Sequence, residues 1–405
     1  MSGTVDAGLY AASALFCVLV WRFSSIPQYR EWARVAFGFY AAGAALTLLA
    51  RDRIGVRTRT IVAMVVLAGA ALLPLTLEVR WRAETTPGSH AQSEVLVTEE
   101  AARALAAGVD PYRATYLQGP LAARPPGTKT HFPYLPGMLA FGMPRAWGGD
   151  RPVADARVFF AGTALVLAVA ALAKSRVAPG RALVAFQALA VFPTGALLAA
   201  TGGDDLPVLA LTLLALVCLS RRRPVAAGLA AGAAAALKQT AWPLLPFLVM
   251  AGRRTAGRPA RRSIALAAAG VLAAVVVPFV LWDPAAFLED VIRFPLGLGT
   301  HPTPADSPTL GRALVRAFPG ARTVIAVAVI AAVAGFVLYL MIRRAPRTAA
   351  GVAASTGTVL GVAFVLAPAA RFGYLVYPVD LLVWAWALGP GPPGPASRQA
   401  DRLGP

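Results

Sequence analysis

Charge is scarce in this sequence. Asp, Glu, Lys and Arg together make up 14% of its 405 residues, while hydrophobic residues make up 58%. That leaves too little polar material to cover a soluble domain of this length. Lysine is nearly absent, with Lys129, Lys174 and Lys238 set against abundant arginine. Together with the wealth of Ala, Gly and Pro, this points to high-GC coding and says nothing of mechanism. Cys17 and Cys218 both fall in apolar stretches, which excludes a disulfide framework or a thiolate metal site. His90, His131 and His301 lack the local spacing of a zinc site. The first apolar stretch has no basic flank before it and no small-residue cleavage site, so it reads as a retained span rather than a signal peptide.

What fills the chain is a series of apolar stretches: 7–21, 35–50, 60–77, 158–173, 182–201, 206–220, 224–237, 239–252, 263–282, 323–342, 348–370 and 372–389. In hydrocarbon every backbone polar group must be satisfied internally, so these are read as helices. Several fall short of the roughly 17–25 residues that a straight spanning helix needs. The fold class predicted is all-α, a polytopic membrane protein of about 12 transmembrane helices. It forms a single domain over 1–390 with a disordered cytoplasmic tail, 391–405.

The breaks alternate between arginine clusters and acidic, aromatic or proline-rich segments. Under the positive-inside rule the clusters face the cytoplasm. They are Arg51/Arg53/Arg57/Arg59, Lys174/Arg176/Arg181, Arg221–Arg223, Arg253/Arg254/Arg258/Arg261/Arg262 and Arg343/Arg344/Arg347. The other side receives the turn 201–205 and two long loops, 78–157 and 283–322. Arg80 and Arg82 open the first loop against the rule, in which long loops weigh little. Keeping both of the most basic breaks on one side requires 224–252 to be broken at Lys238-Gln239. The expected setting is a bacterial plasma membrane. A net charge of +19 would ordinarily suggest nucleic acid, but the arginines are anchors between spans, and no nucleic-acid partner is expected.

The first long loop carries the densest polar chemistry. Ser93 to Leu105 reads as a helix with Ser93 as N-cap, Glu94 early, and Gly108 as the stop. Val97, Ala101, Ala104 and Leu105 share a face suited to the membrane interface, leaving Glu99 and Glu100 to solvent. Gly108-Val109-Asp110-Pro111-Tyr112 is a turn, because Pro111 drives Asp110 out of helical geometry. The segment His131-Phe132-Pro133-Tyr134-Leu135-Pro136 follows, too rich in proline to span.

An acidic residue, an amphipathic helix, a Gly-x-Asp-Pro-Tyr turn and an aromatic, proline-rich segment in that order resemble the GT-C superfamily of membrane glycosyltransferases. The sequence looks most like glycosyltransferase family 87, the polyprenol-phosphate-sugar-dependent mannosyltransferase-like proteins of actinobacteria. Glu94 stands where the family has Asp. Thr201-Gly202-Gly203-Asp204-Asp205 is similar to the family's polar turn, and Ala227 to Lys238 to its Ala/Gly-rich helix ending in Lys. Ala370-Arg371-Phe372-Gly373-Tyr374-Leu375 resembles a late Arg-x-x-Tyr-Leu element.

The resemblance implies inverting transfer of a sugar from a polyprenyl-phosphate donor to a lipid or glycan hydroxyl on the outer face. Glu94 would be the base that takes the acceptor proton, and Lys238 and Arg371 the clamp on the departing lipid phosphate. Asp110, Tyr112, His131, Tyr134, Asp204 and Asp205 would bind substrate. The Asp204-Asp205 pair would also suit a divalent cation, since hard ions take oxygen ligands; no other metal or cofactor is implied. Plainer roles stand beside these. Glu94 suits an early-helix acid at the positive end of the dipole, Lys238 and Arg371 suit snorkelling to lipid headgroups, and Asp204 suits a helix cap. Asp380, midway along the last apolar stretch, is either functional or paired within the bundle. Two further readings remain open. One is a transporter or flippase for a lipid-linked saccharide, which would normally show repeated halves. The other is an inactive assembly partner.

Overall fold

The computed structural model describes residues 3–50, 55–86 and 88–390. The expected tail, 391–405, and Arg51 and Arg53 of the first basic cluster lie outside them. The protein is a helical membrane protein. Among the described residues eight helices are long and apolar enough to cross a membrane, and three more apolar helices are shorter.

The first three helices form a unit. Helices α1 (Gly3–Phe23) and α2 (Pro27–Ala50) pack along their length, and α3 (Val56–Glu84) packs against α2. Asp6 and Arg59 form a fully buried ion pair at one end, Arg59 Nε to Asp6 Oδ2 at 2.6 Å. Arg59 is therefore an internal strut and not a free membrane anchor. A π turn, Ala68–Leu72, interrupts α3, and the Trp32 indole donates to the Ala70 carbonyl within it at 2.8 Å. Such turns release a carbonyl from the regular ladder, and a side chain from a neighbouring helix takes it up.

The first long loop is itself helical. Helix α4 (Ser93–Ala106) packs on α5 (Leu139–Gly148), where Gly142 lies so close to the Thr98 carbonyl that a Cβ would collide with it. Two expectations fail here. Gln92, not Ser93, is the N-cap, and Glu99 does not face solvent. Glu99 is buried with Arg82, whose Nη2 donates to it at 2.6 Å, while Arg82 Nη1 donates to Asp155 at 2.7 Å. Asp155 in turn receives Arg157 and caps α6 (Ala156–Lys174). The basic residue that sat uneasily with the charge rule is thus half of an internal ion network joining α3, α4 and α6. Burial alone would raise the Asp155 carboxyl, but Arg157 and Arg82 hold it well below the usual carboxylate range.

Helix α7 (Pro179–Thr201) is broken by a second π turn, Gln187–Val191, and by Pro193. Tyr40 donates to the Val191 carbonyl there at 2.6 Å. Helices α8 (Asp205–Ser220) and α9 (Pro224–Leu237) follow. The chain breaks at Lys238, which is extended (φ −154°, ψ 144°), as the charge pattern requires. Helix α10 (Leu244–Trp282) is continuous in its helical residues, but Gly257 at φ 81° turns it back on itself. A Cβ on Gly252 would collide with Ile264, whereas twelve residues of straight helix span about 18 Å. The expected spans 239–252 and 263–282 are therefore the two arms of a hairpin, the first too short to cross alone.

The last elements are α11 (Leu310–Ala317), α12 (Arg322–Arg343), α13 (Ala349–Leu366) and α14 (Val376–Leu388). Within α12 only Ala326 is buried, so much of this helix is left to lipid. Arg59 lies against Gly180, and Arg181 donates to the Gly389 carbonyl at 2.8 Å. These contacts gather basic breaks at one end of the bundle. The polar residues described next collect at the other.

Candidate functional site

Three chain breaks meet at that second end. Between α7 and α8 the turn Thr201–Asp205 needs Gly203 in the left-handed region, at φ 97°. Asp204 and Asp205 then open α8, and Lys238 ends α9 directly opposite them. Its ammonium donates to Asp204 Oδ2 at 2.8 Å and to Asp205 Oδ1. Tyr377, from the first turn of α14, donates to the same Asp205 oxygen at 2.6 Å. Burial opposes the charge on Lys238, yet the two carboxylates carry its pKa well above the ordinary lysine range. Burial also pushes the Asp204 carboxyl up, against the pull of Lys238. The two aspartates therefore grip an ammonium at the place that would also suit a divalent cation.

The second long loop and the Lys238 turn fold onto the first loop. Gln239 donates to the carbonyls of Pro133 (3.1 Å) and Val291 (2.7 Å), and the Phe132 amide donates to Asp290 at 2.7 Å. Burial pushes the Asp290 carboxyl up to about 8. His131 stacks on Phe294 with ring centres 4.1 Å apart, and burial lowers its pKa, favouring the neutral ring.

Beside these residues runs a cleft of about 590 Å³. Glu94, His131, Tyr134, Lys238, Arg371 and Tyr374 line its polar end. Glu94 reaches it from the first turn of α4, its carboxylate against Gly202, where a Cβ would sit 3.0 Å away. Arg371 comes from the extended link between α13 and α14, which is pinned by the Ser307 amide donating to the Ala370 carbonyl at 3.0 Å. Arg371 Nη1 stands 3.5 Å from Glu94 Oε2, and both side chains keep some exposure, 36% and 11%. Tyr134 and Tyr374 turn ring faces toward Lys238, with centroids 5.2 and 5.6 Å from its nitrogen. At the other end the wall is apolar: Val329, Ile330 and Val333 of lipid-exposed α12, with Leu360, Ala363 and Phe364 of α13.

Of the nine residues picked out from sequence, five line the cleft: Glu94, His131, Tyr134, Lys238 and Arg371. Asp204 and Asp205 sit behind Lys238. Asp110 and Tyr112 are elsewhere. Asp110 accepts from the Tyr112 amide at 2.9 Å, a local turn, and Tyr112 is packed among Phe132, Phe279 and Phe287. Asp380 is wholly buried with neither oxygen hydrogen-bonded. Tyr374 was missed, although it stands three residues beyond Arg371 in a segment already of interest. Asp290 was missed because only the folding of one loop onto the other gives it a partner.

A family model described as glycosyltransferase family 87 matches residues 132–368, more than half of the chain. The chain belongs to glycosyltransferase family 87. No curated protein and no solved structure matches it. As a family 87 protein it is a membrane glycosyltransferase, with a sugar donor and an acceptor as substrates. The match contains Tyr134, Asp204, Asp205 and Lys238, and it stops just short of Arg371.

Proposed function

We propose that this glycosyltransferase moves a sugar, mannose or a related hexose, from a polyprenyl-phosphate donor to a lipid or glycan hydroxyl on the outer face of a bacterial plasma membrane. The observation that carries the reading is the two-ended cleft. A carboxylate and a guanidinium face each other 3.5 Å apart at its polar end, and a lipid-exposed apolar wall forms the other. A prenyl chain needs an apolar path open to the bilayer, and its phosphate needs a cation at the interface.

In the proposed reaction the acceptor oxygen attacks the anomeric carbon from the side opposite the phosphate. The bond between that carbon and the phosphate oxygen breaks with its electron pair, leaving polyprenyl phosphate. The acceptor proton passes to Glu94, and the anomeric configuration inverts. Arg371 balances the charge that the phosphate gains, acting where charge develops. Lys238 stands behind it, orienting Asp204, Asp205, Tyr134 and Tyr374 more than contacting phosphate directly.

The test is transfer from labelled polyprenyl-phosphate sugars by membranes carrying wild type or Glu94→Gln. Loss of the base should lower transfer by about 10²–10⁴-fold, with donor binding little changed. Full activity of Glu94→Gln would remove the proposed base.

A further inference from the structure

Away from the cleft, the only group of three potential metal-binding side chains among the described residues is Glu31, Glu78 and His90. They come from α2, from the last turns of α3, and from the loop before α4. His90 Nδ1 lies 3.0 Å from Glu31 Oε2 and 3.5 Å from Glu78 Oε2. A ligand atom from each residue lies within 4.8 Å of the other two.

A second, independent observation concerns Glu78. Its side chain is 1% exposed, and neither carboxylate oxygen has a hydrogen-bond partner. A buried carboxylate without donors is costly unless a cation or a proton compensates it. The nearby guanidinium of Arg157 acts on it through charge alone, because its hydrogen bonds go to Asp155, the His90 carbonyl and the Ala200 carbonyl.

We infer that Glu31, Glu78 and His90 bind a first-row divalent cation that fixes the segment leading into Glu94. Two carboxylates and a neutral imidazole bring two negative charges, matching a dication. The imidazole favours zinc or manganese over calcium or magnesium, and the lack of thiolate disfavours soft ions. The spacing of the donor atoms matches a small metal, whose bonds to such ligands run about 2.0–2.2 Å. Glu31 and His90 keep 26% and 22% of their side-chain surface, which leaves a way in and room for water ligands. The site is structural in role. His90 is four residues ahead of Glu94, and the Ala91 carbonyl between them is already held by Gln28 and Arg124. A cation at His90 would tie α2 and α3 to that same strap.

The test uses the full chain in detergent, stripped with chelator and titrated with Zn²⁺ alone, with and without Mn²⁺ as competitor. Bound metal is measured after desalting, and melting is followed by tryptophan fluorescence. One equivalent of Zn²⁺ should bind and raise the melting temperature. His90→Ala and Glu31→Gln, on partly exposed side chains, should each weaken binding by more than the roughly 10–100-fold that loss of an outer-shell partner costs. Glu84→Gln should bind as wild type. Lack of saturable uptake by the wild type, or uptake unchanged in both His90→Ala and Glu31→Gln, would overturn the inference. None of these readouts depends on sugar transfer.

Discussion

Arg371 and Glu94 face one another across 3.5 Å, although one lies in the link between α13 and α14 and the other in the first long loop. Lys238, the other cation at this end, is bonded to two carboxylates of its own. The two cations therefore answer differently to substitution.

Arg371→Ala should raise the donor KM with little change in melting temperature. Arg371→Lys should recover only part of the loss, because an ammonium lacks the planar fork of a guanidinium. Lys238→Ala leaves two buried carboxylates without their cation and should cost about 3–5 kcal/mol of stability. Initial rates over a range of donor concentrations, with melting curves beside them, separate the two outcomes. An unchanged donor KM in Arg371→Ala would make that residue a lipid anchor.

Glu99→Gln removes the charge that Arg82 faces and weakens the acceptor for the Ala156 amide. It should destabilise the protein by about 3–5 kcal/mol, as breaking a buried pair does. Glu84→Gln, on an exposed side chain, should stay within about 0.5 kcal/mol. Equal melting temperatures for the two variants would refute the buried network.

Asp290 gives a pH dependence. Its folded-state pKa is raised from 3.8 to about 8, so between those values the folded protein holds a proton that the unfolded chain has released. Stability from this residue is greatest at low pH, declines as pH rises through that window, and levels off above about 8. Asp290→Asn should flatten this slope, since its amide oxygen can still accept from Phe132. Melting temperatures from pH 5 to 9 that fall equally in both proteins would exclude Asp290 as the source.

Orientation is tested by single cysteines at the exposed positions Glu84, Arg222 and Arg258. An impermeant thiol reagent applied to intact cells should label position 84 and spare the other two. The reverse pattern would place the cleft in the cytoplasm.

The spans were legible because lipid demands long apolar runs and charge clusters punctuate them. The break at Lys238 was legible for the same reason, since a single helix over 224–252 would have split two arginine clusters between the two sides. The turn inside α10 was legible as the arginine cluster between 239–252 and 263–282, though its seat at Gly257 was not. Residues of the cleft could be found where an unusual charge lay next to a span, as with Lys238 and Arg371. Glu99 was misread because a local helical pattern cannot reveal that Arg82 waits on another helix. Asp110 and Tyr112 stood out for a turn that proves to serve its own backbone. The convergence of His90 with Glu31, 59 residues away, leaves no local trace at all.

The grip of Tyr377 on Asp205 sets an order on biosynthesis. Glu94, the paired aspartates and Lys238 are all made before the final helix, but Arg371 and Tyr377 arrive only with it. A nascent chain halted after α13 would hold the apolar walls from α12 and α13 and still lack the guanidinium opposite Glu94. The cleft thus gains the guanidinium opposite Glu94 only once the chain has passed α13, and the hold on Asp205 only once Tyr377 docks with α14.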